Sequence, residues 1–311
     1  MFAGQKCYDG DIFLRIEAHA KINLTLEVLA RRKDGFHQIR TVLQELELCD
    51  ILHLEEIPGR GIELACSDPG LPVDEGNLVY RAASLLQERY APRKGARITL
   101  IKRIPVAAGL GGGSSDAAAI IKGLNRLWNL SLNVDTLLKL GAKLGSDVPF
   151  FIYGGTCLAE GRGERVRILP PFPPVKVLLA APAKLKLSAG QVYGFLNLDK
   201  IPDSRATTEL LALLATQKDS SSSAWQRMSG LLCNHLEEHV LSRCKEVAAL
   251  KEMLQERGLP ALLSGSGPTV FALSRAGHKL QAAGRALALQ GYNVILTKTV
   301  KNSKGTAMTN G

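Results

Sequence analysis

Aromatic side chains are scarce in this sequence, at 5% of 311 residues, and its basic residues are spread out with no tract. Both scarcities argue against a nucleic-acid binder, which needs a stacking platform or a basic stripe. The six cysteines (positions 7, 49, 66, 157, 233 and 244) stand apart, with no C-x-x-C pair. That spacing excludes a zinc site or a disulfide frame and reads as reduced thiols. No apolar run approaches the roughly 18 residues that a membrane helix needs, so no membrane partner is expected. Asp9 and Asp11 interrupt the N-terminal MFAGQKCYDGDIFL. No signal-peptide core is therefore expected, and the cytoplasm is the expected location.

What remains is an ordinary globular composition, 46% hydrophobic and 22% charged. The length favours two domains. A net charge of +10 favours an anionic partner, and a small polyphosphate metabolite suits the dispersed charge better than nucleic acid.

Residues 20–30, AKINLTLEVLA, alternate cleanly. Ile22, Leu24, Leu26 and Val28 point one way, while Lys21, Asn23, Thr25 and Glu27 form a polar second face, as in a half-buried strand. An Asp-Gly turn follows in RRKDGFH, then an apolar segment to about Leu54. Residues 76–90 have helical spacing, with Leu78, Ala82, Leu85 and Leu86 on one side. A strand over 96–106 is expected to stop at Pro105, and helices are expected over 116–130 and 134–144. The prolines of LPPFPPVK (169–176) mark the expected boundary between domains at 1–170 and 171–300. Beyond it we expect a strand (VKVLLAA), helices near 188–198, 225–239 and 244–257, and a polar loop at 217–224. Strand ALLS, a tight SGSGP loop, strand TVFALS, a helix and strand YNVILTK then follow, with a disordered tail at 301–311. Strands and helices alternate in both halves without an internal repeat, so the class is α+β or α/β in two domains.

Residues 109–119, GLGGGSSDAAA, offer a nearly bare backbone between a strand and a helix. A Walker A loop is excluded because no lysine follows the glycines, and a dinucleotide fingerprint fails because Ser114 replaces its third glycine. The shared physics still applies: exposed N–H groups and the dipole at a helix start make an anion site, and missing side chains let phosphate approach. The two serine hydroxyls can cap the helix or reach a metal ion. The plain alternative is a glycine-rich turn with serine caps and no ligand.

IPVAAGLGGGSSDAAA resembles the ATP loop of the GHMP kinases, a family that includes galactokinase and the homoserine, mevalonate and phosphomevalonate kinases. Four more segments are similar to one branch, whose substrate is a cytidine diphosphate alcohol: AKINLTLEVLARRKDGFH, GNLVYRAA, LGSDVPFF and SGSGPTVFAL. They keep the family's order from residue 19 to about 298. The resemblance implies an α+β, two-domain GHMP kinase fold, with a ribosomal-protein-like N-terminal domain and a ferredoxin-like C-terminal domain. It implies ATP and Mg²⁺, a small-molecule substrate and a monomer or homodimer.

The resemblance also implies residue roles. The nucleotide would be cradled by Gly109, Leu110, Gly111, Gly112, Gly113, Ser114 and Ser115, with Asn77, Lys102 and Pro105 beside it. Ser115 would reach Mg²⁺. Asp147 would be the general base, and Lys21 would orient it and stabilise developing charge. Asn23, Phe36, His37 and Tyr193 would hold the cytidine end, and Gly265, Ser266 and Gly267 the substrate phosphate. Each has a plain alternative: a solvated lysine on a strand, a capping aspartate, a packed Phe-His pair, a β-turn, an exposed lysine at 102.

The chain departs from that pattern at four places. Phe36 stands for Tyr, Asp116 for a frequent Asn, and His235 for Asp; KLKLSAGQVY lacks Ser-Thr-Ala, which weakens any role for Ser188. His235-Leu-Glu-Glu-His239 also matches the H-x-x-E-H pattern of inverted zincins, although the segment reads better as an exposed amphipathic helix. A nucleotide sensor without chemistry, or a homoserine- or mevalonate-type kinase, are the other readings. Lys21 with Asp147 argues against the first, and the DGFH segment with the GLGGGSS spacing against the second.

Overall fold

A computed structural model describes residues 6–8, 11–197, 205–216 and 222–300. The expected disordered tail, residues 217–221 of the polar loop and the first five residues lie outside them. Two compact units form, neither continuous in sequence. The first comprises residues 1–20, 48–106 and 111–153; the second comprises 21–47, 107–110 and 154–311. The prolines of 169–175 lie outside every element, as their missing N–H groups dictate.

In the first unit, β3 (His37–Ile57) pairs through Ile51–Ile57 antiparallel to β5 (Gly95–Ile101), and β5 pairs parallel to β4 (Ile62–Cys66). Four helices accompany these strands: α1 (Leu78–Tyr90), α2 (Gly112–Leu127), α3 (Val134–Leu144) and α4 (Val148–Tyr153). α1, α3 and α4 all pack on α2.

Three expectations change here. β5 ends at Ile101 and not at Pro105, because Asp50 accepts from the N–H groups of Arg103 and Ile104 and draws them off the ladder. The buried face of α1 is Val79, Ala82, Ala83 and Leu86; Leu78 and Leu85 lie at its margin. α2 opens at Gly112, four residues early, with Gly111 as its cap at φ 74°, so no serine caps it.

The second unit contains most of β2 (Asp11–Arg31) and the first part of β3, which pairs antiparallel with β6 (Thr156–Gly161); β6 pairs with β7 (Arg165–Ile168). Its other sheet is antiparallel, in the order β10 (Ala261–Leu263), β11 (Val270–Ser274), β8 (Lys176–Pro182), β12 (Tyr292–Lys298). α9 (Lys245–Gln255) and α10 (Gly277–Leu289) pack on it, burying Leu250, Leu254, Leu280 and Leu287 against Leu178, Val270 and Ala272. This is the ferredoxin-like arrangement. α5 (Ala189–Gly194) is shorter than expected and begins with a capping box at Ser188 and Gln191. α6 (Ala206–Ala215) has no counterpart in the sequence reading. The expected helix at 225–239 is broken into α7 (Ser222–Ser229), the two-residue β9 (Cys233–Asn234) and α8 (Glu237–Leu241).

None of Cys49, Cys66, Cys157, Cys233 and Cys244 forms a disulfide. Burial, then the nearby Glu45 carboxylate, pushes the Cys157 thiol up to about 12. Little thiolate forms at neutral pH, and thiolate is the reactive species. Iodoacetamide at pH 8, read by intact mass, is therefore expected to leave Cys157 unmodified until the protein is denatured.

Candidate active site

Lys21 and Asn23 leave one face of β2, yet neither is solvated. Lys21 is 4% exposed, and Asn23, Thr25 and Glu27 are buried with it. The polar face is covered from far along the chain. Thr207 of α6 donates its hydroxyl to Thr25 Oγ1 at 2.9 Å and its N–H to Glu27 Oε1 at 3.1 Å, and β9 pairs parallel with Thr25–Leu26. A connected series of hydrogen bonds results. Lys21 Nζ donates to Asn23 Oδ1 at 2.8 Å, Asn23 Nδ2 to Thr41 Oγ1 at 2.8 Å, and Thr41 Oγ1 to the Thr25 carbonyl. Asn23's carbonyl is thereby fixed toward the ammonium.

The two glycine loops meet beside this lysine. Lys21 N–H donates to the Leu110 carbonyl at 2.9 Å, and Ser264 Oγ donates to the Gly109 carbonyl at 3.0 Å. A Cβ at Gly265 would stand 3.1 Å from Lys21 Nζ and 3.3 Å from Asn23 Oδ1. The SGSGP loop is also a β-turn, in which Gly267 N–H donates to the Ser264 carbonyl at 2.8 Å, with Ser266 at its tip. Asn234 secures it, donating to the carbonyls of Leu263 at 2.9 Å and Gly265 at 2.8 Å. Sequence reasoning missed Asn234, and its partners 29 and 31 positions away explain why.

His37 and Tyr193 stack, with ring centroids 5.2 Å apart. Phe36 is 49% exposed, and the Arg162 guanidinium lies 5.0 Å from its ring centre. Arg162 carries no mark in the local sequence; its guanidinium covers one face of the Phe36 ring. His235 is not on a helix with His239. It precedes α8, is 8% exposed, and accepts the Val28 N–H on Nδ1 at 3.1 Å. Burial lowers its pKa. Both the zincin pattern and the exposed-helix reading fail there. Among the described residues no cluster of three His, Cys, Asp or Glu could hold a metal.

In the first unit, consecutive residues of α2's first turn each meet a different element. A Cβ at Gly112 would lie 3.3 Å from Lys102 Nζ, and one at Gly113 3.6 Å from Leu78, the neighbour of Asn77. Ser114 Oγ would be 3.8 Å from a Cβ at Gly145, two residues before Asp147. No side chain caps α2, so its first N–H groups suit an anion, and the glycines leave room for one. Ser115 is buried. Asn77 caps α1, its Oδ1 accepting from Val79 N–H at 3.0 Å and its Nδ2 donating to Pro72 at 2.8 Å. Pro105 and Asp147 are half-buried, and Asp147 directly precedes α4, whose Val148, Pro149, Phe150 and Phe151 are buried.

Lys102 is no exposed lysine. Its side chain is 7% exposed and forms ion pairs with Asp50 and, at 2.7 Å, with Asp116. Burial raises the Asp116 carboxyl to about 7 against the pull of Lys102.

Residues 77–155 match the model of the GHMP kinases N-terminal domain, and 211–293 that of the GHMP kinases C-terminal domain. The 4-diphosphocytidyl-2-C-methyl-D-erythritol kinase of Bacillus velezensis is 44% identical over 268 residues, 85% of this chain and 89% of that protein. This chain is a GHMP kinase of the 4-diphosphocytidyl-2-C-methyl-D-erythritol kinase branch. The Shouchella clausii kinase of the same name is 46% identical over 83% of this chain and 84% of its own length. A crystal structure of 4-(cytidine 5'-diphospho)-2C-methyl-D-erythritol kinase superposes with a TM-score of 0.75 at 32% identity, covering 92% of this chain and 99% of that one. Homoserine kinase from Cytophaga hutchinsonii shares the GHMP fold at a TM-score of 0.73 and 20% identity, covering 97% and 98%. Among the described residues no helix is long and apolar enough to cross a membrane.

Proposed function

We propose that this GHMP kinase transfers the γ-phosphoryl group of ATP to the 2-hydroxyl of 4-diphosphocytidyl-2-C-methyl-D-erythritol, in the methylerythritol phosphate route to isoprenoid precursors. The observation that carries the reading is the 44% identity to a kinase of that name across most of both chains. A new bond forms from the substrate oxygen to the γ-phosphorus as the bond to the β–γ bridging oxygen breaks, leaving ADP. Asp147 takes the hydroxyl proton. Lys21, held on Asn23, supplies positive charge for the charge that develops.

The phosphates would lie on the Gly109–Ser115 loop, with Asn77, Lys102 and Pro105 at the nucleoside. The Ser115 hydroxyl would help to hold Mg²⁺, which would screen the phosphate charge; among the described residues no cluster of three carboxylates stands by to hold it. Phe36, His37 and Tyr193 would hold the cytosine, Asn23 its polar edge, and Gly265, Ser266 and Gly267 the diphosphate. The stacked His37–Tyr193 pair supports such a wall. A cytoplasmic monomer or homodimer, with domains at 1–170 and 171–300, completes the proposal.

The test is turnover by purified protein with ATP and Mg²⁺ against the cytidine compound, homoserine and mevalonate. Phosphorylation of the cytidine compound alone is expected. Turnover of either rival in its place overturns the substrate, and ATP binding without any turnover overturns the kinase.

A further inference from the structure

Lys102 sits between two carboxylates, although one would neutralise it. Asp50, from β3, accepts from the ammonium with one oxygen and from the N–H groups of Arg103 and Ile104 with the other, so both of its oxygens are engaged. Asp116, the fifth residue of α2, accepts from the ammonium with Oδ2, while its Oδ1 is buried without a hydrogen-bond partner. A second buried carboxylate with an idle oxygen destabilises a fold, since neither desolvation nor repulsion from Asp50 is recovered. The neutral Asn would fill the same volume without the repulsion.

Gly112 shows where the ammonium is held. Lys102 Nζ lies close enough that a Cβ there would be 3.3 Å away, so the charge rests against the first turn of α2. That is the positive end of the helix, where a lysine is repelled and would turn out to water if free. Asp50 draws it from the strand side and Asp116 from within α2. The helices packed on α2 bury apolar side chains such as Val79, Leu137 and Phe150, and their own charged residues lie exposed.

We infer that Asp50 and Asp116 are positioning residues for the nucleotide, clamping the Lys102 ammonium at the start of α2 so that ATP meets a cation already in place. This rests on the proposed placing of ATP at that loop. Asp116 touches no substrate and acts through Lys102. One ammonium cannot cancel two carboxylates, so the burial that raises Asp116 to about 7 lessens the negative charge that phosphate would meet.

The test is ATP affinity by calorimetry without the alcohol, with KM for both substrates, in Lys102→Met, Asp116→Ala, Asp116→Asn and the Lys102→Met/Asp116→Ala pair. Lys102→Met and Asp116→Ala are each expected to weaken ATP about tenfold, the scale of a hydrogen bond to a charged group, with little change in KM for the alcohol. Asp116→Asn keeps an oxygen for Nζ and is expected to recover most of the loss. The double variant is expected to bind ATP no worse than Lys102→Met alone, because the two changes break one device. Additive losses, or equal losses for both substrates, would make Asp116 merely structural and overturn the inference. Unchanged ATP affinity in Lys102→Met also overturns it, while normal turnover by the wild type leaves the kinase reading standing.

Discussion

Asp147→Asn is expected to lower kcat by about a thousandfold, within the range that a positioned general base contributes, with KM for both substrates nearly unchanged. Asparagine has the shape of aspartate and cannot take the hydroxyl proton. It is also as good a helix cap, which matters because Asp147 stands directly before α4. A thermal unfolding midpoint equal to the wild type would confirm that the loss is chemical. Turnover within about threefold of wild type would place the base elsewhere.

The largest structural effect is expected at Gly109, whose φ of 75° is strained for any residue with a side chain. A Cβ there would stand 2.1 Å from the Ser264 carbonyl oxygen and 3.0 Å from Gly267 N, so it would meet backbone that no rotamer can clear. Gly109→Ala is expected to cost about 3 kcal/mol or more in a denaturant titration, summing the strain and the overlap. Gly35 is the control. Its φ is 85°, with nothing within 4 Å of a Cβ, so Gly35→Ala is expected to lose only about 1 kcal/mol. Equal losses at the two positions would show that the close meeting of the two glycine loops is unimportant.

Local signals carried well. The alternation of 20–30, the Asp-Gly turn, α3 with its end at Gly145, and the strand–loop–strand around SGSGP are all read from neighbours in sequence, and all are present. Several departures come from a partner distant along the chain. Nothing near Lys21 in sequence says that the polar face of its strand is buried, with Thr207 of α6 on Thr25 and Glu27. The charge of Asp116 found no account in its own helix, since its partners are Lys102 and, through it, Asp50. The segment 225–239 looked like one helix because the pairing of Cys233–Asn234 with β2 cannot be seen in its periodicity. Within the candidate site, the glycine loops and Lys21 were legible as motifs, whereas Asn234 and Arg162 carry no local mark.

The end of the described chain has a consequence for how the protein is made. Val300 N–H donates to the Glu45 carbonyl, Gln44 donates back to the Val300 carbonyl from 256 positions away, and Thr299 bridges to Leu46. The first unit is complete in sequence once Tyr153 has been synthesised, but in the second Gln44–Leu46 must await these last partners. At about 5–20 residues per second, β3 can pair with β6 once Gly161 is made, but Gln44–Leu46 stay without Thr299 and Val300 for tens of seconds. Early termination before Thr299 therefore leaves the β3 backbone at Glu45 and Leu46 without its last partners, an unpaired stretch open to another chain.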